Sequence, residues 1–153
     1  MPIREPEDAY VNILGREVAV SRLEYFDFLF KYASKISFRR GKKTYALRCP
    51  KPSAFVCHKC ATFTGREDRQ KMAKDLYYAY FVLRFAPDHD AIAAEIRGYS
   101  SEPLYANAMA NLKEYFSGEK GRGCAIVAQE NGPDYYIDDL TADIHARFIK
   151  ITE

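Results

Sequence analysis

The stretch Ile36-Ser-Phe-Arg-Arg-Gly-Lys-Lys-Thr-Tyr-Ala-Leu47 decides how this chain is read. Two short arms, Ile36-Ser-Phe38 and Thr44-Tyr-Ala-Leu47, mix β-branched and aromatic residues with small polar ones. Between them lies a basic tip with Gly41 at its centre, so the segment predicts a β-hairpin. Pro50 and Pro52 end it, because a proline has no N–H to offer a ladder.

Working outward, the hairpin sits in an acid-free region. From Phe28 to Arg66 the chain carries ten cations: Lys31, Lys35, Arg39, Arg40, Lys42, Lys43, Arg48, Lys51, Lys59 and Arg66. Those 39 residues hold no Asp or Glu, although the whole chain has 23 basic and 21 acidic side chains and a net charge of only +2. Acids gather elsewhere: Glu130, Asp134, Asp138, Asp139 and Asp143 form a cluster without Lys or Arg. Charge read by segment therefore shows an asymmetry that the net charge conceals.

The 153 residues are expected to form a single globular domain, residues 1–153, with residues 1–8 as a loose leader. A hydrophobic fraction of 48% with twelve Tyr and ten Phe belongs to a folded chain, not a disordered one. No apolar run is long enough for a membrane helix, and the first residues lack the apolar core of a signal peptide. A cytoplasmic location is the expectation, or the host cytoplasm if the chain is viral. In that compartment four cysteines are thiols or metal ligands before they are disulfides.

Local signals give the rest of the layout. Tyr10–Leu14 and Val18–Val20 flank Gly15-Arg16-Glu17 as a first hairpin. Ser21-Arg-Leu-Glu24 has the form of a capping box, in which hydroxyl and carboxylate satisfy free backbone N–H groups. Leu23, Phe26, Phe30 and Ala33 then recur at helical spacing and predict a helix from about Arg22 to Ser34. After Phe55-Val56 comes Cys57-His58-Lys59-Cys60, read as a turn, and then the loop Thr62–Gly65. A helix from Glu67 carries Met72, Leu76, Tyr80 and Leu83. Its second half is apolar all round, so helix and strand both fit residues 76–85. Asp88 or Asp90 caps a helix to Arg97 with Ile92 and Ile96 inward, ended by Gly98. Ser101 caps another to Phe116, with Tyr105, Ala108, Met109, Leu112 and Phe116 as its stripe. Gly118, Gly121 and Gly123 read as a flexible turn. Cys124–Ala128 and Asp134–Ile137, on either side of Glu-Asn-Gly-Pro, predict a third hairpin, and Ile144–Ile151 a last strand. The whole reads as an α+β fold: an antiparallel sheet of hairpins with three to four helices.

Function is sought first in the basic hairpin, taken over residues 36–60. Guanidinium groups fork onto phosphates and ammonium groups act as point charges. Arg39, Arg40, Lys42, Lys43, Tyr45, Arg48, Lys51 and Lys59 form the expected binding set. Tyr45, Phe55 and Phe63 are interleaved and suited to stacking on bases. The expectation is a small non-enzymatic module that engages nucleic acid and has no membrane partner. An alternative is an inhibitor or adaptor, of viral or mobile-element origin, whose basic face fills an acidic or nucleic-acid-binding site on a larger protein. The plainer reading is a solvated basic face balanced by the acidic C-terminal third.

The cysteines offer a zinc site. C-x-x-C at Cys57 and Cys60 supplies two soft ligands, Cys49 a third, and Cys124 a fourth, with His58, His89 and His145 as substitutes. Buried reduced cysteines are the competing reading. Catalytic signatures are missing: no phosphate loop before a Lys-Ser/Thr, no H-E-x-x-H, no G-x-S-x-G. No catalytic residue is assigned, and an enzyme with a Cys or His nucleophile, or one acting on a nucleotide, ranks third.

Overall fold

In the computed structural model the residues described are 9–13, 16–20, 24–130 and 139–153, the first two segments by backbone alone. The leader, the turn at Gly15, the Ser21 cap and the strand expected at 134–137 lie outside them. The expected mixture of helix and strand is present. Two two-stranded antiparallel sheets and seven α-helices are formed among the described residues, against the three to four helices expected.

Strands β1 (Ala9–Ile13) and β2 (Arg16–Val20) pair antiparallel from Ala9↔Val20 to Ile13↔Arg16. Helix α1 is short, Phe26–Lys31, and begins after Tyr25 in the left-handed region at φ 56°. The predicted helix to Ser34 is therefore cut off. Strand pairing captures the backbone from Ala33 onward, and the carbonyl of Tyr32 accepts from the Lys51 N–H at 2.9 Å. The buried face is Phe28 and Leu29, while Phe26 and Phe30 point to solvent.

Strands β3 (Ala33–Arg40) and β4 (Lys43–Pro50) form the predicted basic hairpin, longer at its root than the sequence arms imply. Gly41 and Lys42 make a two-residue loop. Gly41 has φ +60° and no non-glycine residue of the loop has positive φ, the pattern of a type II′ turn. That turn matches the strand twist and needs glycine at its first central position.

The hairpin ends earlier than residue 60, because Pro52–Thr62 is helix α2. C-x-x-C is thus a helical segment, not a turn. Pro52 occupies the first helical turn, where its missing N–H costs nothing. Nearly every side of α2 is buried, so no hydrophobic stripe advertises it in the sequence. At its C-terminal end Asn111 donates to the free carbonyls of Cys60 and Ala61 at 2.9 and 3.2 Å.

Four helices pack on α2: α1, α3 (Arg69–Phe85), α4 (His89–Arg97) and α5 (Tyr105–Tyr115). Asp68 caps α3 by accepting from Gln70 N–H at 2.8 Å. Residues 76–85 are helical throughout: Leu76, Ala79, Tyr80 and Leu83 face the core. Asp88 caps α4, and Ile92 and Ile96 are inward as the spacing predicts. Ser101 caps nothing. Turns carry the chain past Glu102 and Pro103, and α5 starts only at Tyr105.

Two predicted strands are helices. Residues Arg122–Glu130 form α6 and Leu140–Thr152 form α7. Cys124 and Val127 on α6, and Ile144, Phe148 and Ile151 on α7, are fully buried at helical spacing. Their apolar neighbours mimic a strand in sequence. Tertiary contact with α3 and α5 selects the helix. Phe116 stacks on Phe148 at 4.0 Å, and a Cβ on Gly123 would meet the Phe116 ring at 2.7 Å. Gly123 is therefore a close-packing residue, not part of a flexible turn. The core lies among the helices, and no residue of β3 or β4 enters it.

Candidate functional site

The β3–β4 ribbon stands on a root of aromatic rings and charge pairs. On its incoming side Phe28, Tyr32 and Tyr99 form a cluster, with Tyr32 and Tyr99 ring centres 4.5 Å apart. Glu102 accepts from Lys31 Nζ at 2.6 Å and from the Tyr32 hydroxyl at 2.7 Å. On its outgoing side Glu95 accepts from Lys51 Nζ at 2.5 Å and from the Ser53 hydroxyl at 2.7 Å. Ser53 and Tyr99 share a further bond at 2.8 Å, which ties the two sides together. The hydrogen bonds from Lys31 and Lys51 hold the Glu102 and Glu95 carboxyls below their ordinary pKa. Burial pushes the Tyr99 hydroxyl up to about 12, so it stays protonated.

Beyond the root the ribbon has two faces, because side chains alternate along each strand. One face pairs Ile36 with Leu47, Phe38 with Tyr45 and Arg40 with Lys43. The other pairs Lys35 with Arg48, Ser37 with Ala46 and Arg39 with Thr44. Phe38 and Tyr45 touch across the strands, ring centres 5.8 Å apart and planes inclined by 31°. Ile36, Phe38, Tyr45 and Leu47 are between 42% and 47% exposed, and among the described residues this apolar strip takes no part in the core. The Arg48 guanidinium lies 4.1 Å from the centre of the Phe30 ring and ties β4 to α1.

The structure sorts the ten cations of the acid-free stretch. Lys31 and Lys51 are held at the root by Glu102 and Glu95. Lys59 and Arg66 both bind the buried carboxylate of Asp75, at 2.5 and 2.9 Å. Lys35, Arg39, Arg40, Lys42, Lys43 and Arg48 sit on the ribbon, and among the described residues none has an acidic partner. The predicted binding set is therefore gathered except for Lys51 and Lys59, which are engaged internally. The acids responsible are Asp75, Glu95 and Glu102. In the acidic C-terminal third, Asp143 pairs with Arg84 and Arg147, and Asp139 caps α7.

Stacking residues divide in the same way. Tyr45 is on the ribbon. Phe63 is fully buried, edge-on to Tyr115 at 4.8 Å, and Phe55 lies half-buried beside Lys59. Phe38, Ile36, Leu47 and Lys35 also lie on the ribbon, outside the expected binding set. The turn carries the signal that finds Phe38. Once Gly41-Lys42 is the loop, Phe38 must face Tyr45.

The four cysteines do not converge into the expected metal site. Cys49 is half-buried on β4, Cys57 and Cys60 are buried on α2, and Cys124 is buried on α6. Among the described residues no group of three or more His, Cys, Asp or Glu side chains could hold a metal ion. Burial raises the Cys57 thiol to about 12, the Cys124 thiol to about 11 and the Cys60 thiol well above its ordinary value. Neutral buried thiols are poor nucleophiles. His58 is buried, and its Nε2–H donates to the Glu24 carbonyl at 2.7 Å. Burial lowers its pKa, which keeps the ring neutral. His89 bonds the Arg147 carbonyl at 3.1 Å, and His145 sits half-buried on α7. No described helix is long and apolar enough to cross a membrane. The chain matches no protein-family model, no curated protein and no solved structure.

Proposed function

We propose that this protein is a small, non-enzymatic nucleic-acid-binding module and that the β3–β4 ribbon is its binding element. The observation that carries the reading is the cross-strand placement of like charges. Arg40 faces Lys43 and Lys35 faces Arg48, with no acid on either strand. Like charges directly opposite destabilise a ribbon, so this arrangement costs stability that an anion along the strands would restore. Phosphates are anions at regular spacing, and a two-stranded ribbon is narrow enough to follow a backbone or enter a major groove.

Six ribbon cations without an acidic partner among the described residues predict strongly salt-dependent affinity. If about five contact phosphates, the logarithm of the binding constant falls with a slope of about −3.5 to −4.5 against log salt. Fluorescence anisotropy with labelled oligonucleotides at low and physiological salt reads this slope. Replacing Arg39, Arg40, Lys42 and Lys43 together with Ser flattens it and removes most binding. Absence of binding to DNA and RNA at low salt refutes the reading.

A second reading draws on the exposed strip Ile36, Phe38, Tyr45 and Leu47 and on the outer edges of both strands, which pair with no other described strand. Apolar patches and free edges suit an added strand from a protein. The chain would then be an inhibitor or adaptor on an acidic or nucleic-acid-binding partner. A pull-down after nuclease treatment discriminates. One stoichiometric protein favours this second reading, and recovery that vanishes with nuclease favours the first.

A further inference from the structure

We propose that the ribbon prefers single-stranded nucleic acid, with unpaired bases stacked on Phe38 and Tyr45 and the phosphates drawn to Arg40, Lys42 and Lys43 at the tip. This rests on the nucleic-acid reading above and adds the class of strand it binds.

The apolar face carries the inference. Phe38 and Tyr45 form a two-ring platform directly below the Arg40/Lys43 pair, with Ile36 and Leu47 continuing it toward the root. All four side chains lie open to solvent in a ribbon that contributes nothing to the core. A two-stranded ribbon in water is marginal by itself, and the cross-strand contact of Phe38 with Tyr45 still leaves 47% and 43% of these residues exposed. A base supplies what is missing. Every base has a π-face, and stacking on an aromatic ring tolerates any sequence. In a duplex those faces are already stacked on one another and only base edges line the grooves. Pressed against a duplex, the platform would meet hydrated phosphates and edges and leave its rings unstacked.

Charge argues against the competing occupants. A second copy laid face to face would set two all-basic ribbons against each other, with no acid in either strand to offset the charge. An acidic peptide would satisfy the cations but offers carboxylates, not planar rings, to Phe38 and Tyr45. A single strand supplies both chemistries at once, alternating charge with planar apolar groups.

The test uses the full chain and three labelled probes of equal length: a mixed-sequence single strand, the same strand in a duplex, and an abasic single strand. The expected order is base-bearing single strand tightest, with the duplex and the abasic strand each weaker by about ten-fold or more, the stacking contribution of at least one base. Phe38→Ala and Tyr45→Ala each lower affinity for the base-bearing strand by about ten-fold and leave abasic binding and the salt slope unchanged. Phe38→Tyr and Tyr45→Phe keep the rings and keep the affinity. Far-ultraviolet circular dichroism and a melting curve confirm that each variant folds. Duplex binding as tight as single-strand binding overturns the inference, as do equal losses on base-bearing and abasic strands. In both cases the nucleic-acid reading stands. Binding of polyglutamate as tight as that of the single strand also overturns it. Failure of all three probes at low salt removes the nucleic-acid reading itself, and this inference with it.

Discussion

Asp75 shows how a single residue redirects a charge argument. In sequence Lys59 and Arg66 belong to the basic stretch. In the fold both spend their charge on one buried carboxylate, and Lys59 also lies 5.6 Å from the Phe55 ring centre. Removing one partner of a buried pair is costly, because the remaining charge is left without compensation. Asp75→Ala is expected to destabilise the protein by about 3 kcal/mol in urea unfolding, with no change in binding slope once folding is corrected for. A loss below about 1 kcal/mol would mean the pair is solvent-relaxed like an ordinary surface bridge. Cys57 makes the complementary point. Its basic neighbours suggest a reactive thiol, but burial on α2 raises its pKa to about 12. Depth, not sequence neighbourhood, sets its chemistry.

At the scale of the element, the ribbon is where stability and binding pull in opposite directions. Arg40→Glu places a carboxylate opposite Lys43 and replaces repulsion with attraction, worth about 0.2–1 kcal/mol to the pairing. Hydrogen exchange of the ribbon amides should slow, while affinity for a polyanion falls by about ten-fold or more. Faster exchange and unchanged affinity would show that the cross-strand cations are merely solvated. Helices α6 and α7 teach a different lesson at this scale. Ile144, Phe148 and Ile151 hold a helical spacing that was present in the sequence, but Ile149 and Ile151 alternate convincingly as a strand. Packing of the first three onto the helical core decides between them.

For the whole molecule, the root couples the ribbon to the helical body through Glu95 and Glu102. Both carboxyls sit below their ordinary value of 4.5 because Lys51 and Lys31 donate to them. A depressed carboxyl stabilises the fold above its unfolded pKa, and that contribution is lost as pH falls through the folded value. Protection of the ribbon amides should therefore be flat from neutral pH to about 5 and decline below about 4.5. Glu102→Gln should remove part of that decline. An acid transition unchanged in Glu102→Gln would show that Glu102 contributes nothing to the coupling. The same coupling fixes where the charge points. Acids at the root engage Lys31 and Lys51, and the six cations beyond have no acidic partner among the described residues.

The sequence alone determined the basic hairpin, its Gly41 turn, the Asp88-to-Gly98 helix and the charge asymmetry. Each is a local property: turn chemistry, capping and composition act within a few residues. It also determined that Arg39, Arg40, Lys42, Lys43, Tyr45 and Arg48 lie near one another, since a hairpin brings its own arms together. Only the tertiary structure decided that C-x-x-C is helical, that residues 122–130 and 140–152 are helices, and that Lys51, Lys59 and Arg66 are neutralised internally. These outcomes turn on contacts between residues far apart in the chain. Asp75, Glu95 and Glu102 each reach back to the basic stretch, and α3 and α5 supply the surfaces that α6 and α7 bury. Long-range packing outweighs local propensity because each buried apolar side chain contributes about 1.5–3 kcal/mol, against well under 1 kcal/mol for a residue's intrinsic preference.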